Sequence, residues 1–177
     1  MTTRAPLQRI DAPLHRKLIA IRANAGLPMD GSEPMTGDLD MGGNEIINLP
    51  GWTTPAFSAG NFTASGSMTW TVESADVLTY AYNIIGKQMT VAFVIGTSTV
   101  GGTLSNRLNI AIPASKVATK RMETRLGQIL DAGVASEGFC VVEASGTTIG
   151  IFLQTGGNFS AGTNNVWATG TITFEIN

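Results

Sequence analysis

The chain has 177 residues, 43% of them apolar and only 14% charged, with 21 glycines, which favours one turn-rich, all-β domain over a disordered chain or a helical bundle. A net charge of −2 leaves no footprint for nucleic acid. With one cysteine, Cys140, an intrachain disulfide is excluded.

The charge is uneven along the chain. Residues 1–25 carry Arg4, Arg9, Arg16, Lys17 and Arg22 against Asp11, a balance of +4 that leaves −6 for the rest. Asp11 is a good N-cap, Pro13 is tolerated in a first turn, and Gly26 with Pro28 marks a stop, so a helix is expected between them. Leu14, Leu18, Ile21 and Ala25 fall on one face, with Arg16, Lys17 and Arg22 largely off it. A helix of about 12 residues is marginal alone, so this face needs a neighbour. Two neighbours stay open, another protein or copy onto which the helix anchors, and the β domain of the same chain. The proline- and glycine-rich residues 26–34 favour the first by separating the helix from the domain. The face lacks aromatic residues, which argues against a membrane-surface helix, and no stretch reaches the roughly 20 apolar residues of a spanning one.

The most distinctive stretch follows, Pro34-Met35-Thr36-Gly37-Asp38-Leu39-Asp40-Met41-Gly42-Gly43-Asn44-Glu45-Ile46-Ile47-Asn48-Leu49-Pro50. Its apolar residues Met35, Leu39, Met41, Ile46, Ile47 and Leu49 are spaced too irregularly for a helical face, and Gly42-Gly43 suits a tight reversal between two short extended runs. One copy of such a ribbon would expose apolar side chains and unpaired backbone groups together, so something must cover it. An EF-hand reading of Asp38, Asp40 and Gly43 fails because position five would be Gly42 and position twelve Leu49. A lone cation on Asp38 and Asp40 remains an alternative.

Residues 35–49 resemble a motif, Met-x-Gly-Asp-Leu-Asp-Met-Gly-Gly-Asn-x-Ile-x-Asn-Leu, that recurs in tail-fibre and short-fibre proteins of tailed bacteriophages. The match covers less than a tenth of the chain, in an unusual residue order. The resemblance implies a homotrimer in which three chains wrap around one another along residues 28–57, with Met35, Leu39, Met41, Ile46, Ile47 and Leu49 covered by the other copies. It implies a virion address, with assembly in the bacterial host cytoplasm. It also makes residues 1–27 an anchor on a tail, collar or capsid protein through Leu14, Leu18, Ile21, Arg16, Lys17 and Arg22.

Residues 50–58 read as a loop in which Trp52 and Phe57 plug the base of the domain that follows. Across 62–72, Phe62, Ala64, Met68, Trp70 and Val72 alternate with Ser and Thr, the period of one half-buried strand. Strands are expected at 78–85 and 89–95 about a Gly86-Lys87 turn, then at 104–112, 124–130, 138–144, 148–155 and 166–176. The set describes a C-terminal antiparallel eight-stranded β-sandwich over 58–177, and a jelly roll is the common eight-stranded solution.

Chemistry is sparsely signalled. His15, the one histidine, lies in the presumed anchor, so no Ser or Cys nucleophile gains a base and no metal site is implied. The carboxylate pairs Glu73 with Asp76 and Asp131 with Glu137 are the candidates for glycoside hydrolysis, with solvated loop charges as the ordinary alternative. No cofactor is implied, and the chain reads as a non-enzyme. Binding is better supported: the polar stretches 97–102, 132–137 and 156–165 read as loops, with Asn158, Phe159, Asn164 and Asn165 as candidate contacts to a host-surface glycan or protein. Together these features point to a trimeric short fibre presenting a β-sandwich knob. Alternatives are a capsid head fibre or decoration protein of the same architecture, a glycan-active enzyme, and a non-viral lectin-like trimer.

Overall fold

The computed structural model describes residues 51–177. The expected anchor helix, with Leu14, Arg16, Lys17, Leu18, Ile21 and Arg22, and the motif residues Met35 to Leu49 lie outside the described residues. What is described is mainly β: two antiparallel sheets stacked face to face, with nothing helical beyond single 3-10 turns.

The strands are β1 (Phe62–Ala64), β2 (Met68–Thr71), β3 (Val77–Ile85), β4 (Gln88–Gly102), β5 (Leu108–Ala111), β6 (Met122–Arg125), β7 (Gln128–Asp131), β8 (Val134–Ser136), β9 (Gly138–Val142), β10 (Thr148–Leu153) and β11 (Gly162–Glu175). One sheet has five strands in the order β1-β5-β10-β9-β6. The other has six, β2-β4-β11-β7-β8, with β3 also paired to β4. β11 runs along one side of β4, while the other side is shared end to end by β3, against residues 88–95, and β2, against 99–102.

Eleven strands stand where the sequence suggests eight, and the difference has a physical cause. The alternating run 62–72 is two strands, because a turn closed by Met68 N–H on Ser65 O, with Gly66 at φ +63°, carries the chain from the five-stranded sheet to the six-stranded one. Run 124–130 is likewise two. Leu126 donates its N–H to Gly138 O in the first sheet and Gly127 donates to Thr169 O in the second. Both sheets face one core: the first crossing keeps the inward phase through Phe62, Met68 and Trp70, while the second shifts it from Leu126 to Ile129. The third addition, β8, is a three-residue strand after a turn at Ala132 (φ +49°) and Gly133 (φ +82°).

Alternation decides the core. Met89, Val91, Phe93 and Ile95 of β4 and Ala168, Ile172 and Phe174 of β11 point inward against Leu108, Ile110, Cys140, Val142, Ile149 and Ile151 of the other sheet, all buried. At one end Phe62 packs edge-on to both Trp70 and Tyr80, with ring centroids 5.7 Å apart in each case, joining the sheets through an aromatic cluster. The last residues are held in the fold: Ile176 N–H bonds Lys87 O and Thr119 N–H bonds Glu175 O.

Candidate functional site

The three presumed loops are not equivalent. Residues 97–102 are not a loop; they are the second half of β4, bent by a bulge at Thr97 (φ +49°). Asn164 and Asn165 are not loop residues either, because β11 begins at Gly162. Asn164, at φ +53°, donates its N–H to Thr99 Oγ1 (3.0 Å) and accepts from the same hydroxyl (3.1 Å), while Asn165 gives its carbonyl to Gly133 N–H. Both side chains are exposed, on a clamp between β4, β11 and the β7–β8 turn.

The stretch before β11 is a plug. Phe159 is 0% exposed, so its ring is core and offers no aromatic face to a ligand. The backbone around it is fixed on both flanks: Phe159 N–H bonds Ser105 O and Asn158 Nδ2 donates to Leu104 O (3.3 Å), while Ser160 gives both its N–H and its hydroxyl to Asp131 (2.8 Å each). A polar, glycine-rich sequence hid one apolar anchor whose burial is set by tertiary packing.

Two of the carboxylates singled out for hydrolysis, Asp76 and Asp131, are also engaged. Asp76 accepts from Glu73 N–H and from Thr97 Oγ1 (2.8 Å each), and Asp131 holds Ser160. Both are nearly buried and stitch loops to strands. Among the described residues no cluster of three His, Cys, Asp or Glu could hold a metal ion. In the basic stretch 116–125, Lys120 pairs with Glu175 (2.7 Å) and Arg121 with Glu123 (2.8 Å), surface pairs of small energetic weight.

The concave polar surface lies elsewhere, at the corner where β6 passes into β7. Arg125, Gln128, Ser136, Glu137 and Gln154 line a cleft of about 230 Å³. Ser136, Glu137 and Gln154 continue from it into a second hollow of about 380 Å³, bounded by Ala135, Leu153 and Thr155. The corner follows from the sheet switch at Leu126-Gly127, and Gln154 N–H bonded to Glu137 O fixes the far wall. The lining combines a guanidinium, a carboxylate, a hydroxyl and two amides with the apolar Leu126 and Leu153. Such a mixture suits a ligand bearing several hydroxyl groups.

No family model, curated protein or solved structure matches this chain. The site therefore stands on its own geometry.

On the outer face of the five-stranded sheet an ordered row runs up to that cleft. Arg107 lies across Gly150, where a Cβ would come within 2.6 Å of its Nε. Its guanidinium carbon is 5.8 Å from the Phe152 centroid, and its Nη2 donates to Thr148 Oγ1 (3.0 Å). Phe152 stacks on its register partner Phe139, with centroids 5.3 Å apart and planes at 15°, and Phe139 is opposite Arg125 on β6. Sequence reading missed Arg107, Arg125, Gln128, Phe139, Phe152 and Gln154. The only local signal was two phenylalanines on the polar phase of strands expected to alternate.

Proposed function

We propose that this chain is a structural protein of a tailed-phage virion, a homotrimeric short fibre that docks through its N-terminal residues and presents its C-terminal sandwich to the host surface. The observation that carries this reading is the fibre-type motif at residues 35–49 leading directly into a β-sandwich. The sandwich is of jelly-roll type in this reading, since its chain passes repeatedly between the two sheets. The motif ribbon needs cover from other chains, which a trimer supplies, and three knobs on one body reinforce weak contacts through effective concentration.

The work is adhesive rather than catalytic, and the surface offered for it is the corner cleft around Arg125, Gln128, Glu137 and Gln154. Its balance of donors and acceptors suits the hydroxyls of a surface glycan. The proposal needs no cofactor, nucleic acid or membrane insertion. The same architecture seated on the capsid, as a head fibre or decoration protein, is the neighbouring reading.

Labelling the C-terminal domain on purified virions and imaging the particles tests the address. Label at the tail or collar is the expected result. Label spread over the capsid replaces the tail address with the head-fibre one, and absence from particles overturns both.

A further inference from the structure

A cation stands at each end of the aromatic row on the outer face of the five-stranded sheet. Arg107 is half-buried, and the described residues give its guanidinium one acceptor, the neutral Thr148 hydroxyl. Its Nε is buried with no partner. Asn109, the register partner of the Gly150 that Arg107 crosses, likewise holds a buried Oδ1 with no partner. A partly desolvated charge served this thinly is costly, and a bound anion offsets that cost.

The other end is Arg125, exposed on the edge strand β6. Among the described residues neither guanidinium forms an ion pair. Glu123 and Glu143 are taken by Arg121, and Glu137 lines the cleft with Arg125 without pairing to it. Between the two cations lie the stacked rings of Phe152 and Phe139, both half-buried. The row crosses from β5 through β10 and β9 to β6, three strand spacings or about 14 Å.

The chemistry of this strip narrows what it can hold. Two separated guanidiniums call for carboxylates or similar anions on one extended ligand. The rings between them call for an apolar face, and the amides and hydroxyl of the adjoining cleft for hydroxyl groups. Residues 51–177 carry six Lys or Arg against seven Asp or Glu, a balance that disfavours a polyanion such as nucleic acid and tolerates a sparsely charged chain. An acidic oligosaccharide has all three properties.

We propose that the strip from Arg107 over Phe152 and Phe139 to Arg125 binds an acidic oligosaccharide. Sugar carboxylates lie on the two guanidiniums, ring C–H groups on the phenylalanines, and hydroxyls in the corner cleft that Arg125 lines. This rests on the glycan reading of that cleft and adds to it the charge class of the glycan.

Isothermal titration of the full chain with two matched probes tests it: a tetramer of galacturonic acid, and the galactose tetramer that carries hydroxymethyl groups in place of the carboxylates. The acidic tetramer should bind about tenfold tighter or more. Arg107→Gln and Arg125→Gln should each remove most of that difference, while Lys87→Gln, on the β3–β4 turn of the other sheet, should leave it in place. Arg125 is exposed, so its variant keeps the test decisive if Arg107→Gln does not fold. Equal affinity for the two tetramers, or an equal loss in the Lys87 variant, would overturn the acidic strip while leaving the glycan reading of the cleft. Binding of neither tetramer would overturn both. Tighter binding of single-stranded oligothymidine than of the acidic tetramer would overturn the strip in favour of a polyanion site.

Discussion

The indole of Trp70 on β2 donates to Ser98 Oγ on β4 at 2.9 Å, and the Ser98 hydroxyl in turn donates to the Val166 carbonyl on β11 at 2.9 Å. The relay crosses three strands inside the core, where the β4–β11 register slips on both sides of Val166. Ser98→Ala removes the link and leaves a buried indole N–H without a partner, at a cost of about 1–3 kcal/mol. Urea unfolding checks this. Once Trp70→Phe has removed the donor, the same substitution should cost less, and strict additivity of the two changes would contradict a shared relay.

Phe159 and Asn158 are neighbours with opposite roles. Phe159→Ala should cost about 3–5 kcal/mol, the range for emptying a buried aromatic site. Asn158→Ala, on an exposed side chain with one long hydrogen bond, should stay within about 0.5 kcal/mol. Comparable urea midpoints for the two variants would contradict the plug described here.

Alkaline pH should destabilise the fold through two groups of the core. Burial pushes the Cys140 thiol up from 9.0 to about 12 and the Tyr80 phenol up from 10.0 to about 12. Tyr80 also donates to the Ala111 carbonyl (2.6 Å). In both cases the unfolded chain ionises first, so the folded state binds more protons in between and stability falls with rising pH. The contribution is full below the unfolded values and is lost as pH climbs through about 9 to 12. Urea unfolding at about pH 8 and about pH 11 should show the loss, and Tyr80→Phe with Cys140→Ala should flatten it. An unflattened profile in that double variant would place the titration elsewhere.

Local pattern made much of the fold legible. The β3–β4 hairpin turns at Gly86 (φ +59°), where the sequence places it, and the inward set Phe62, Met68, Trp70 and Val72 is buried as its alternation requires. The first corner was invisible for the same reason: the crossing at Gly66 keeps the inward phase, so periodicity reads one strand where the ladder shows two, whereas at Leu126-Gly127 the core side passes to Ile129 within a run that reads as one alternation. The cleft was less legible still. Arg125 and Gln128, Ser136 and Glu137, and Gln154 come from three separate stretches, joined by strand pairings that no local pattern specifies. Composition alone made residues 156–165 look like a receptor loop, while the contacts of Phe159, Ser160 and Asn164 make them a closure.

The association of three chains is the claim on which the fibre reading depends. Light scattering on the full chain coupled to size-exclusion chromatography measures it most directly. The expected mass is about three times the 18.5 kDa of one chain. A homogeneous peak at 18.5 kDa, at concentrations where the protein is folded, would contradict it.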